Sequence, residues 1–149
     1  MSSKVPLYFE TGYDPHGTPF IRLVVWVAFK SRGKYLEAEK IIIDTGAPIS
    51  LIPFNIWAQC DVTLGNRGVI GSIANRPECD VAVTYGRITF SLMDEDENEI
   101  VKDITIHADL SDTSEMPALL GWQDFLAKGT LFTNYASGEA WLEWPDSPI

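Results

Sequence analysis

The stretch Lys40-Ile41-Ile42-Ile43-Asp44-Thr45-Gly46-Ala47-Pro48-Ile49-Ser50-Leu51-Ile52-Pro53 decides how the rest of the chain is read. Its run of isoleucines has no polar face, so it reads as a strand buried on both sides. The run stops at a carboxylate, Asp44, where a core strand should carry no charge. A carboxylate walled by apolar residues is costly unless it is hydrogen-bonded or shares a proton. An acid in that place is therefore a candidate for chemistry. Gly46 lets the backbone turn sharply or come close to a neighbour, and a second apolar stretch, residues 49–52, follows at once.

Working outward, the chain reads as mainly β. Residues 20–29 are dense in β-branched and aromatic side chains, a strong strand signal. Ser31-Arg32-Gly33-Lys34 has the composition of a hairpin turn, after which residues 35–43 return as a strand, half-exposed while Leu36 and Ala38 alternate with Glu37 and Glu39. Residues 51–60 suit a short strand and then a helical turn begun near Pro53. Residues 64–75 carry Gly65, Gly68 and Gly71 with apolar residues between them, and read as a hairpin with an apolar tip. Val81, Val83, Tyr85, Ile88, Phe90 and Leu92 mark a long strand over 79–93, with a bend or bulge at Gly86. The acidic run 94–99 reads as a solvated hairpin loop, because a metal loop needs interleaved glycine and a set ligand spacing. Residues 100–110 return as a strand with Ile104, Ile106 and Ala108 on one side. Residues 117–121 read as a short apolar strand, 122–128 as a helix ending at Gly129, and 130–135 with 139–144 as a terminal hairpin. Trp141 and Trp144 are read as one face of its second strand.

The 149 residues suffice for a single domain, 1–149. Within it, residues 1–19, rich in Pro and Gly, read as a loose N-terminal arm with a short strand at 7–10, and 130–149 as a C-terminal hairpin extension. A formal charge of −10 argues against nucleic acid as a partner, since phosphate binding needs a basic surface. No apolar run approaches the length of a membrane span, and the N-terminus has no apolar core of a secretory signal. The expectation is a cytoplasmic protein with no membrane partner. In that compartment Cys60 and Cys79 are expected as reduced thiols. With only His16 and His107 to join them, neither a metal site nor any cofactor is expected.

The pattern resembles the retropepsins, the single-lobe aspartic protease family. Three stretches carry the resemblance in order. Asp44-Thr45-Gly46-Ala47 after a hydrophobic strand is similar to the family's catalytic motif, Val69-Ile70-Gly71-Ser72-Ile73 lies where the family has its flap, and Ala118-Leu119-Leu120-Gly121 is similar to the apolar-apolar-Gly segment packed beside the catalytic loop. The resemblance covers residues 20–130. It implies an all-β fold with one short C-terminal helix, a closed acid-protease barrel with one lobe per chain. Pro48 and Trp122 stand where retroviral members usually place an acid and an Arg that pair in support of the dimer, so that style of interface is not expected here.

What the resemblance implies for function is peptide-bond hydrolysis by paired carboxylates, one taking a proton from water and the other protonating the substrate carbonyl. The chain has one such motif; Asp112-Thr113-Ser114 reads as a loop turning on its own backbone. The second carboxylate then comes from another copy, and the partners expected are a homodimer mate and a peptide or protein substrate. Asp44 is the catalytic residue on this reading, with Thr45, Gly46 and Ala47 supporting it. Ile70, Gly71, Ser72 and Ile73 form the flap, Leu119, Leu120 and Gly121 support the pocket, and Ile43, Leu51 and Leu119 wall the groove. The alternative implied by the same resemblance is a non-catalytic module that uses its groove or dimer face for peptide binding or assembly.

Overall fold

The computed structural model describes residues 2–70 and 81–146. These form strands β1 (Ser2–Pro6), β2 (Tyr8–Tyr13), β3 (Pro19–Ser31), β4 (Lys34–Tyr35), β5 (Glu39–Ile43) and β6 (Ser50–Ile52), then the short helix α1 (Phe54–Trp57). Strands β7 (Val62–Ile70), β8 (Val81–Met93), β9 (Glu99–Ser111), β10 (Leu119–Leu120), β11 (Thr130–Asn134) and β12 (Glu139–Pro145) complete the described chain. The expected dominance of β-structure is what the described residues show. Their α-helix, however, is α1, early in the chain, with Pro53 as its N-cap. The stretch read as a C-terminal helix makes turns and then a 3-10 segment, Leu126–Lys128. Asp124 at φ 62 breaks the right-handed backbone that a continuous helix over 122–128 would need.

Strand pairing follows the order β2-β3-β5-β10-β6-β9-β8-β7 in a nine-stranded sheet, with β4 on β3 and a further β3–β8 pairing. Because β8 pairs both β9 and the far end of β3, the pairings return on themselves through β3, β5, β10, β6, β9 and β8. The 13-residue strand β3 passes from one neighbour to another along its length: Tyr8 pairs Val24, Ile41 pairs Val25, and Phe90 pairs Phe29. The β3–β4 turn puts Arg32 and Gly33 both at positive φ (52° and 75°), which suits the twist of a two-residue hairpin.

The N-terminal residues do not form the loose arm expected from their prolines and glycines. β2 is hydrogen-bonded along β3, and β1 pairs with β12, which also pairs with β11, to give a three-stranded sheet. The alternating apolar positions outweigh the breakers: Val5 and Leu7 are buried, and Pro6 sits in an edge strand, where its missing N–H is tolerated. Val5, Ala140 and Leu142 of this small sheet join the same core as Phe29, Ile41, Ile52, Ile88, Phe90, Ile106, Leu110 and Leu120 of the large one and Phe125 of the turn before the 3-10 segment. Each fully buried Leu, Ile or Phe there contributes on the order of 1.5–3 kcal/mol.

The two tryptophans read as one face of β12 lie on opposite faces, because a spacing of three changes side in a strand. Trp144 packs inward on Phe125 (centroids 5.4 Å apart), whereas Trp141 stacks outward on Phe132 (3.9 Å) beneath the Lys4 ammonium. At Gly86 the expected irregularity is present. The β7–β8 register shifts between Leu64 and Arg67, opposite Gly86 and Tyr85. A Cβ on Gly86 would lie 2.6 Å from the Thr63 carbonyl oxygen, so only glycine allows β7 this close.

Candidate active site

The Asp44 turn is built by the two strands that flank it and a third that enters between them. β5 leads into the turn and β6 leads out, but the two do not pair with each other. β10 fills the gap, parallel to β5 (Leu119 opposite Ile42, Leu120 opposite Ile43) and antiparallel to β6 (Leu119 opposite Leu51). The short apolar Leu119–Leu120 pair is therefore the wedge that holds both ends of the turn. The Asp44 N–H donates to the Leu120 carbonyl at 2.9 Å, which fixes the backbone of the acid itself.

The carboxylate is also held locally. The Gly46 N–H donates to Asp44 Oδ1 at 2.9 Å, and the Ala47 N–H donates to the Asp44 carbonyl at 3.1 Å. A Cβ on Gly46 would stand 3.2 Å from Asp44 Oδ1, so a side chain there would crowd the acid. Asp44 is half-buried, while Thr45 and Gly46 are exposed at the tip of the turn. The acid thus sits at the surface end of a core strand, with an ordered carboxylate open on one side.

Gly121 and Trp122 clamp the turn from beside it. Gly121 is buried, its N–H donates to the buried Ser50 hydroxyl at 2.9 Å, and a Cβ there would collide with the Ala47 carbonyl oxygen. The next residues return the contact. The Trp122 N–H donates to the Ala47 carbonyl (3.0 Å), the Trp122 indole N–H to the Thr45 carbonyl (2.6 Å), and the Gln123 N–H to the Pro48 carbonyl (3.0 Å). Four successive backbone positions after Asp44 are consequently tied to residues 120–123 or to Asp44 itself. Pro48 and Trp122 form no ion pair, but both belong to this clamp.

A second polar group braces the clamp. The His107 N–H and Nδ1 both meet Asp124 Oδ2, at 2.9 and 2.7 Å; the His107 ring stacks on Tyr85 (5.4 Å), and the Gln123 amide donates to the Tyr85 hydroxyl (2.5 Å). The His107 backbone N–H, and after it the His107 side chain, hold the Asp124 carboxyl below its ordinary range. The positive φ of Asp124 is offset by these bonds.

The predicted site residues fall into three groups. Asp44, Thr45, Gly46, Ala47, Leu119, Leu120 and Gly121 are brought together as described. Ile70 ends β7 opposite Val81, away from those bonds, and Gly71, Ser72 and Ile73 lie outside the described residues. Ile43 is not a groove wall. It points into the core cluster with Leu120, because alternation along β5 sends Ile42 to the other side. Leu51 and Leu119 do share that other side with Ile42, at directly paired positions. Ser50, Gln123, Tyr85, His107 and Asp124 were not foreseen as parts of the site. The signal for Ser50 was present, as a lone hydroxyl inside the apolar run 49–52.

Among the described residues no group of three or more His, Cys, Asp or Glu side chains is arranged to hold a metal ion. Asp112 pairs with Arg67 at 2.6 Å, and Thr113 turns on the Ser111 hydroxyl, so the second Asp-Thr is a loop and its acid is taken. No helix among the described residues is long and apolar enough to cross a membrane.

No protein-family model matches the sequence, and neither does any curated protein. Among solved structures, the chain is similar to a retropepsin-like aspartic protease from Rickettsia conorii, with 97% of this chain and 96% of that one covered, at 12% identity and a TM-score of 0.46. A similarity at that identity and score fixes neither the family of this chain nor the role of any of its residues.

Proposed function

We propose that the chain is one half of a homodimeric aspartic endopeptidase, with Asp44 as its catalytic carboxylate and a second Asp44 supplied by another copy. The observation that carries this reading is the ordered, half-exposed Asp44 carboxylate, bonded to Gly46 N–H on a turn wedged by β10 and clamped by Gly121 and Trp122. Such bracing suits a group that must keep its position while it exchanges protons. One carboxylate hydrolyses an amide poorly. Two in contact cannot both ionise, so they share a proton: the ionised one takes a proton from water and the protonated one gives its proton to the scissile carbonyl. Thr45 and Gly46, exposed at the tip of the turn, are the residues that would meet the second copy first.

On this reading the substrate is an extended peptide lying over Leu119, Leu51 and Ile42, and Ile70, Gly71, Ser72 and Ile73 are the proposed flap residues. No cofactor takes part. Ala47 contributes no hydroxyl to stabilise the ionised pair, so activity is expected at weakly acidic pH. The test is cleavage of an unstructured protein between pH 3 and 8. Cutting that disappears in Asp44→Asn and with a statine-type inhibitor supports the reading. A protein that dimerises yet cuts nothing across that range supports a peptide-binding or assembly module instead.

A further inference from the structure

One acid on the Asp44 side of the large sheet has no role in the mechanism above. Register places Ile42, Leu119, Leu51, Asp109 and Tyr85 side by side on five adjacent strands, β5, β10, β6, β9 and β8. Directly paired residues share a face of the sheet, so these side chains form one row. The opposite face carries the core: Ile43, Leu120, Ile52, Ala108 and Leu110 are all buried. The row begins two residues before Asp44 and is apolar until it reaches Asp109. Asp109 is half-buried, with Leu51, itself buried, on one side and the half-buried Tyr85 on the other.

Two other acids of this region are already engaged. Asp124 holds His107, and Asp112 holds Arg67. Asp109 has no hydrogen bond or ion pair among the described residues, although no side-chain oxygen or nitrogen there is both fully buried and unpartnered. Its carboxylate is thus partly desolvated, reachable and unmatched. Burial alone pushes its proton affinity up, with no opposing charge to bring it down. An unmatched carboxylate in an apolar row is a cost in the free protein that a cation arriving with a ligand removes.

We infer that Asp109 is a specificity-determining residue, which selects an extended peptide carrying a lysine or arginine near the scissile bond. This rests on the proposed peptidase reading and names its substrate class. The geometry suits it: three strand steps of about 4.8 Å separate β5 from β9, roughly 14 Å in all. An extended peptide centred on Asp44 advances about 7 Å over two residues, and the long apolar stem of Lys or Arg covers the rest. Leu119, half-buried on the same row, takes the stem, and Asp109 takes the charge.

The test uses a randomised decapeptide library synthesised twice, with lysine or with norleucine fixed at each position in turn. Wild-type protein is expected to cut the lysine set at least 10-fold better, by kcat/KM, at one position close to the cleaved bond. That ratio should collapse in Asp109→Asn, survive in Asp109→Glu and reverse toward norleucine in Asp109→Leu, with thermal melts confirming that each variant is folded. Equal cutting of the two sets, or a lysine preference untouched in Asp109→Asn, overturns the inference. The same libraries are bound, without turnover, to Asp44→Asn and to the Asp44→Asn/Asp109→Asn double variant. If wild type cuts nothing, the catalytic reading fails, and this arm still decides the role of Asp109. Lysine-selective capture lost in the double variant upholds it; equal capture of both sets, or capture of neither, overturns it.

Discussion

At the scale of single residues, the support of Asp44 rests on two positions that carry no chemistry themselves. Gly121 lies against the Ala47 carbonyl so closely that no Cβ fits, and the obstruction is backbone, which cannot swing aside. Gly121→Ala should therefore push the clamp off the Asp44 turn, at a cost of roughly 1–3 kcal/mol, typical of overpacking. The readout is a lowered denaturation midpoint together with a loss of cleavage. Ser50 acts by the opposite mechanism. Its buried hydroxyl is the acceptor for the Gly121 N–H, so Ser50→Ala leaves a buried donor without a partner, worth about 1–3 kcal/mol. Ser50→Thr keeps the acceptor and should recover most of that loss in urea unfolding, provided the added methyl is accommodated. The Cys60 thiol is a third case. It is half-buried beside Asp61 and Glu39, and its pKa is pushed up to about 11, chiefly by burial. In the folded protein at pH 8 it should resist iodoacetamide, and peptide mapping should find it labelled only after unfolding.

At the scale of elements, the difference between what the sequence disclosed and what it hid is one of range. β3, β5, β8 and β9 were legible because their burial alternates or runs continuously over many residues, and the Arg32–Gly33 turn because its chemistry is local. The segment after Gly121 was misread as a helix. Its composition suits one, but its course is set by distant partners: Asp124 bends to reach His107, and Trp122 and Gln123 reach the 45–48 turn. The N-terminal strands were hidden for the same reason, since β1 exists by pairing with β12, at the far end of the chain. The Asp44 turn was legible as a candidate, but its clamp was not, because spacing within a sequence carries no information on which side chains meet across 77 residues. The Asp124 brace makes a pH prediction. Its folded pKa is depressed, so its contribution is complete above the unfolded carboxylate pKa and is lost as pH falls through the lower folded value. Wild type should melt above Asp124→Asn at pH 6–7, and the gap should close as pH is lowered below about 4. A gap of constant size down to pH 2 would show that the carboxylate charge does nothing there.

At the scale of the whole molecule, the proposed reading makes Asp44 half of an active site at the surface, and no second acid among the described residues is held as it is. Asp112 is bound to Arg67, Asp124 to His107, Asp103 to Lys30, and Asp94 caps its own loop. Each has a structural task, and none is wedged and clamped as Asp44 is. If hydrolysis needs two such carboxylates, a lone chain has one and is inert, and activity must follow the population of dimers. That population depends on concentration by mass action, so specific activity per chain should fall on dilution and rise again on reconcentration, following the dimer fraction measured by analytical ultracentrifugation. Mixing supplies the sharper form of the test. Asp44→Asn chains added in excess to wild type draw wild-type chains into mixed dimers with one carboxylate. Cleavage should then drop toward the fraction of wild-type pairs, approximately the square of the wild-type share when the two chains associate equally. A loss only in proportion to dilution would mean that each chain works alone, and that the second carboxylate is not supplied by another copy.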